Sequence, residues 1–224
     1  MTHETAKAAR TNRKAGRTAS KEVRRRQLIE ATIESIGKYG ISGTTMNTVT
    51  GFAGLSNGIV NFHFTNKETL FEETLRFLAE EHRDQWRKSF RNAALAPEAK
   101  LLAIVDAHFH PSICSRKKLA VWFGFYGETG YRASYRRITS EIDEERWEVS
   151  TALCREIIRD GGYEGAEADH VASTLEGLYD GFCLNILIYP GEFTRDDAKR
   201  RIRGYLACTF PKHFQRPEGP GDKD

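Results

Sequence analysis

The chain has 224 residues, of which 29% are charged and 39% hydrophobic. That allows one large or two small domains with a sizeable core. It leaves no apolar run near the length of a bilayer crossing, and the start lacks the apolar segment of a secretory signal, so the expected location is the cytoplasm, with no membrane partner. The net charge of +3 is unevenly spread: residues 1–71 hold 11 Lys and Arg against 5 Asp and Glu, and the remainder 23 against 26. A basic head on a mildly acidic body suits a polyanionic partner at one end only. Cys114, Cys154, Cys183 and Cys208 are widely spaced without a CxxC pair. They read as buried small apolar residues rather than a disulfide frame or zinc site.

Residues 1–20 are polar and basic, a stretch expected to be disordered in isolation. Arg10, Arg13, Lys14 and Arg17 either follow a DNA backbone or sit in a solvated tail. Ser20 is a fitting cap for a helix from Lys21 to about Tyr39, with Leu28, Ile29, Thr32, Ile33 and Ile36 as its apolar stripe and Gly40 as its end. Arg24, Arg25 and Arg26 cluster at its start, where cations oppose the helix dipole, so an external anion is a reasonable explanation.

Thr44 or Thr45 then caps a short helix beginning near Met46, with Val49 and Ala53 on one side. Gly54 fits a sharp turn, and Leu55 packs inward. Ser56 caps the next helix, Asn57 and Gly58 lie in its first turn, and Ile59 or Val60 anchors it. Asn57, Asn61, Phe62 and His63 are left facing outward. Two short helices around such a turn read as a helix-turn-helix over about 45–64, the second helix sized for a major groove.

A fourth helix begins at Lys67, carries Leu70, Phe71, Leu75 and Leu78, and runs to about Asn92. Pro97 starts the next, with Leu101, Leu102, Ile104, Val105 and Phe109. His108 and His110 flank Phe109, but residues two apart on a helix diverge, and no metal or other cofactor is expected. The stretch 120–131 is the most aromatic of the chain. Trp122, Phe125 and Tyr126 share one helical face there, as ordinary core or as the wall of a ligand pocket. A long helix over Ala133–Asp160 has Ile138, Ile142, Val149, Leu153 and Ile157 as its stripe. Glu141, Asp143, Glu144, Arg146 and Glu148 are among the polar residues covering the rest. Further helices span about Ala166–Ile188, with Gly177 and Gly181 four apart, and from the Thr194 cap to about Phe210. No period-two pattern persists, so the fold class is all-α.

The head resembles the DNA-binding segment of the TetR family of transcriptional repressors. Thr45, Val49, Ala53, Gly54, Leu55, Ser56, Gly58, Val60, Phe64, Lys67, Glu68 and Leu70 fall in the family's register. Asn61 and His63 replace its two usual tyrosines, and Thr50 an alanine. The body resembles the BetI-like branch, through the W-x-x-F-Y pattern at Trp122, the LxGLxDG pattern from Leu175 to Gly181, and a last helix opening after Pro190-Gly191. The resemblance implies a homodimer on a palindromic operator, released by a small molecule. In this branch that molecule is choline; other relatives take hydrophobic drugs or acyl chains.

Four segments are implied: a basic arm at 1–20, a DNA-binding domain at 21–66, a ligand-binding and dimerisation domain at 67–212 and a flexible tail at 213–224. The DNA-contact candidates are Arg24, Thr44, Thr45, Ser56, Asn57, Gly58, Asn61, Phe62, His63 and Lys67. A quaternary ammonium is held by aromatic faces, and Trp122, Phe125, Tyr126, Trp147 and Tyr179 are the cage candidates, with Glu128, Asp143 or Asp180 balancing the charge. An enzymatic reading finds little support. Glu80, Glu81 and His82 are adjacent and diverge on a helix, and neither a nucleophile-base-orienter set nor a glycine-rich phosphate loop is evident.

Overall fold

Apolar residues at helical spacing recur along the chain, and the computed structural model of the protein turns each run into a helix. It describes residues 21–90 and 94–217, among which there are nine α-helices and no strand. The sequence-based expectations for residues 1–20, for the end of the fourth helix at 91–92, and for the tail beyond 217 lie outside the described residues. The chain divides into two compact units, Met1–Thr74 and Leu75–Asp224.

In the first unit, α1 (Lys21–Gly43) buries Leu28, Ile29, Ile33 and Ile36. At Gly40, where the sequence places the end of the helix, the helical path breaks, at φ 71° and ψ 175°, and one further helical turn follows to Gly43. Only glycine enters that conformation cheaply. The extra turn carries Thr44 to a buried position, where its hydroxyl donates to the Gly40 carbonyl at 2.8 Å.

α2 (Met46–Ala53) starts in a reciprocal cap: Thr48 N–H donates to Thr45 Oγ1 and Thr45 N–H donates to Thr48 Oγ1. Ser35 of α1 lies 2.7 Å from the Thr48 hydroxyl and donates to Thr44 at 3.2 Å, so a chain of hydroxyl groups locks α1 to α2. Gly54 ends α2 in the left-handed region, at φ 62°. α3 (Asn57–His63) follows Ser56, whose side chain makes no capping bond. Val60 and Phe64 are buried and anchor α3 to the core. α4 (Lys67–Phe90) is capped by Asn66, which accepts from Thr69 N–H at 2.8 Å, and it runs on past Thr74 into the second unit.

The second unit adds α5 (Pro97–His108), α6 (Arg116–Glu128), α7 (Ala133–Gly161), α8 (Ala168–Ile188) and α9 (Arg195–Thr209). α7 packs on both α5 and α8, α6 packs on α8, and α9 packs on α5 and α8. Leu101, Ile104, Leu153, Ile157, Leu175, Ile202 and Phe210 meet in one core. Each fully buried side chain of this size contributes about 1.5–3 kcal/mol. Thr194 caps α9 in a reciprocal box with Asp197, as the sequence suggests. Two expectations change here. Arg146, read as part of the polar face of α7, is 3% exposed, and Cys208, read as buried, is exposed.

The turn at Gly54 gives a direct test. Gly54→Ala places a Cβ at a positive φ and is expected to destabilise the head by about 1–2 kcal/mol, read as a lower denaturation midpoint; an unchanged midpoint would contradict the turn described.

Candidate functional site

In the head, three residues of α3 point outward: Asn61 and Phe62 are exposed, Phe62 at 75%, and His63 is partly so. Ser56 and Gly58 are exposed beside them, and Lys67 follows at the start of α4, its ammonium 4.9 Å from the Phe71 ring centre. Asn57 is exposed but engaged. Its amide donates to Asn47 at 2.7 Å, and Thr50 donates to its carbonyl oxygen at 2.9 Å. Asn57 therefore fixes the angle between α2 and α3, and the Thr50 that replaces a family alanine supplies the hydroxyl. The structure does not bring Thr44 to this surface, because the break at Gly40 turns its side chain inward.

The arginine cluster of α1 divides its tasks. Arg25 pairs with Glu73 at 2.9 Å, lies 4.7 Å over Phe64 and reaches the His63 carbonyl, whereas Arg24 donates to Gln27 at 2.7 Å. His63 titrates below its ordinary value, through desolvation and the charges of Lys21, Arg25 and Arg24. Its imidazole is neutral at pH 7.

In the second unit, a small cavity, partly open to solvent, is bounded by α4, α6, α8 and the segment before α6. Trp122 and Leu119 of α6, Leu78 and His82 of α4, His108 at the end of α5, and Cys183 of α8 line it. Glu81 and Lys118 also line it and form an ion pair across it; Lys118 donates as well to the Ser112 carbonyl at 2.6 Å.

Behind the cavity lies a stack of buried polar rings. His82 meets His108 with ring centres 4.8 Å apart, and His108 stacks on Tyr179 at 4.5 Å and 19°. Arg146 lies 5.7 Å over the other ring of that pair, Tyr179. Arg146 is held by Glu176 through bonds of 3.0 and 3.1 Å and by Asp143 at 2.9 Å. Burial disfavours its cation, but Glu176 and Asp143 outweigh that cost and the guanidinium stays charged. The histidines go the other way. Burial and the Arg146 charge pull His82 down to about 3, and burial, His82 and Arg146 hold His108 well below its ordinary value. Both are neutral, and His82 Nε2, His108 Nδ1 and the Tyr179 hydroxyl have no hydrogen-bond partner among the described residues.

The five cage candidates do not converge. Trp122 lines the cavity and Tyr126 stands 5.5 Å from its ring; Tyr179 lies one layer deeper, behind His108. Phe125 is fully buried against Tyr135, and Trp147 donates to Ser173 on α8. Of the carboxylates, Glu128 pairs with Arg132 and Asp143 with Arg146. The Asp180 carboxyl is raised to about 6 by desolvation and by Asp143. The carboxylate that lines the cavity is Glu81, which sequence reasoning set aside together with His82. The available signal was their spacing to Leu78, one helical turn earlier on the buried face of α4.

The buried histidines set a pH dependence. In the unfolded chain a histidine protonates at about pH 6.5, while folded His82 resists protonation down to about pH 3. Stability tied to the neutral form is complete above the unfolded value and is lost as pH falls between the two. His82→Gln should make the slope of unfolding free energy against pH shallower by about 1.4 kcal/mol per pH unit over the acid range, measured by urea titration. An unchanged slope would place the proton uptake elsewhere.

Residues 28–74 match the family model described as bacterial regulatory proteins, tetR family, and residues 97–211 match that of BetI-type transcriptional repressor, C-terminal. The HTH-type transcriptional regulator BetI of Burkholderia thailandensis is 33% identical over 189 residues, covering 83% of this chain and 93% of its own. The BetI of Paraburkholderia phymatum is also 33% identical, over 83% and 92% of the two chains. Among solved structures, a transcriptional regulator of Pseudomonas aeruginosa PAO1 superposes with a TM-score of 0.76 at 22% identity, over 88% of this chain and 96% of its own. A regulator of Saccharomonospora viridis, solved in complex with choline, superposes at 0.72 and 20%, over 81% and 94%. Regulators of this family bind DNA and a small-molecule effector and are not enzymes. The chain belongs to the TetR family of bacterial regulatory proteins, in its BetI-type branch of transcriptional repressors.

Proposed function

We propose that this repressor acts as a homodimer on a palindromic operator and is released by a small quaternary ammonium compound such as choline, bound in the α4–α6–α8 cavity. The observation that carries the reading is a carboxylate, Glu81, and an indole, Trp122, on the walls of one cavity whose two histidines are neutral. A quaternary ammonium donates no ordinary hydrogen bond. It is held by aromatic faces, at about 0.5–2 kcal/mol each, and by a carboxylate. The regulator of Saccharomonospora viridis crystallised with choline shares the fold.

Lys118 already offers an ammonium to Glu81. An incoming cation competes for the same carboxylate, and Lys118 keeps the Ser112 carbonyl as its second acceptor. The exchange loosens an α4–α6 tie on the helix whose first turns belong to the head. An effector shifts the equilibrium only by binding the two states unequally, and this exchange is the differential contact.

Dimerisation is supported by a face of α8 that no described residue covers. Gly177, Gly181, Leu184 and Ile188 recur at helical spacing and are exposed, with open space where a Cβ of either glycine would stand. Two heads on a palindrome double the contacts that one short α3 can make. Asn61 and Phe62 read base edges, Asn57 holds α3 at its angle, and Thr45, His63 and Lys67 grip phosphates, with Arg24, Ser56 and Gly58 at the margin.

Two outcomes test this reading. Choline added at matched ionic strength should quench tryptophan fluorescence saturably, and Trp122→Ala should abolish the response; an equal response in the variant would place the ligand elsewhere. Lys67→Ala should weaken binding to all DNA sequences alike and reduce the steepness of the salt dependence by about one phosphate contact. A change of sequence preference would instead assign Lys67 to base recognition.

A further inference from the structure

Cys114, in the turn before α6, and Cys183, on α8, place their Sγ atoms 3.9 Å apart, and both residues line the cavity. Cys183 Sγ is also 3.4 Å from His108 Nε2. Cys114 and Cys183 are buried core residues, as Cys154 is, but Cys154 does not line the cavity, and burial pushes its thiol up to about 12; Cys208 is exposed on α9. A buried thiol without solvent access is inert, whereas one on a solvent-connected wall meets small solutes.

We propose that Cys114 and Cys183 form an oxidisable dithiol that small peroxides convert into a disulfide, tying the turn before α6 to α8 across the wall of the cavity. The two thiols have unequal parts. With Cys183 as the donor of the Sγ–Sγ contact, that bond and the charges of Arg195 and Lys199 outweigh burial and hold Cys114 below its ordinary value, so that Cys114 attacks first. Cys183, held protonated by the same bond and by burial, acts second.

In the first step the Cys114 thiolate attacks one peroxide oxygen and the O–O bond breaks. Cys114 becomes a sulfenic acid, and the departing hydroxide takes up the proton that the thiol lost, giving water. In the second step the Cys183 sulfur attacks the sulfenic sulfur, the S–O bond breaks, and the hydroxyl leaves with the Cys183 proton as a second water. Two thiols lose two electrons and the peroxide gains them. Trp122 and His108 share the wall on which the bond forms, so the disulfide reshapes the cavity and weakens effector binding. This last step rests on the reading of the cavity as the effector site; the bond itself does not.

The experiment treats the full chain with hydrogen peroxide, blocks free thiols and maps the digested peptides by mass spectrometry. A Cys114–Cys183 linked peptide, lighter by two hydrogens, reversed by dithiothreitol, retained in Cys208→Ser and lost in Cys114→Ser and Cys183→Ser, is the expected result. In Cys183→Ser, dimedone should trap Cys114 as its sulfenic acid. Oxidation confined to Cys208, with Cys114 and Cys183 still free to be alkylated, would overturn the proposal. A choline titration of Cys208→Ser then reads the coupling, with affinity expected to fall about tenfold on oxidation. Equal affinity in oxidised and reduced protein with the cross-link in place would overturn the coupling. Absence of choline binding to the reduced protein would overturn the effector reading and leave the mapped bond standing.

Discussion

A single buried cation organises the second unit. Arg146 is enclosed between α7 and α8, and its charge survives there because Glu176 and Asp143 answer it. Removing one partner of a buried pair leaves an uncompensated charge and costs about 3–5 kcal/mol, so these residues constrain one another strongly. The consequence passes outward through stacked rings. Tyr179 packs under the guanidinium, His108 stacks on Tyr179, and His82 meets His108. Burial, reinforced by the fixed positive charge, keeps both histidines neutral, and their neutrality leaves Glu81 and Lys118 as the charged groups on the wall of the cavity. In the proposed reading, a cationic effector meets a wall whose carboxylate, Glu81, it shares with Lys118 and whose imidazoles are neutral.

The head shows how far sequence pattern reaches. Its caps and turn are local, written in Thr45, Gly54 and Val60, and local signals survive translation into structure. What escaped was the partnering of polar side chains across helices. Thr44 reads as a surface threonine until the break at Gly40 turns it inward, and Asn57 reads as a free base-reading amide until Asn47 and Thr50 occupy both its groups. In the body the all-α class and the helix order were legible from apolar spacing. The cavity was not, because it joins residues from α4, α5, α6 and α8 that are far apart in sequence. Arg146 was hidden for the same reason: on the α7 pattern alone it falls among solvated charges, and Glu176, 30 residues on, joins Asp143 in compensating its burial. Aromatic density pointed to Trp122 and Tyr126 correctly as neighbours, but density cannot separate Phe125, which turns into the core, from a residue that faces a ligand.

The cavity wall combines two kinds of chemistry. Glu81 and Lys118 form an electrostatic latch that a cation can enter by exchange, and Cys114 and Cys183 form a thiol pair whose spacing an oxidant can change. Both connect α6 or the turn before it to another helix, α4 in one case and α8 in the other. In the proposed reading, α6 is the wall that both an effector and an oxidant act on.

The most direct measurement of the central claim is calorimetric titration of the protein with choline and, separately, with the neutral alcohol in which a carbon atom replaces the ammonium nitrogen. The two have the same shape and differ in charge. Recognition by Glu81 and the Trp122 face predicts that choline binds about tenfold or more tightly than the alcohol, with the advantage lost in Glu81→Gln. Equal affinities for the two compounds in the unaltered protein would contradict the account, leaving a cavity that selects by shape alone.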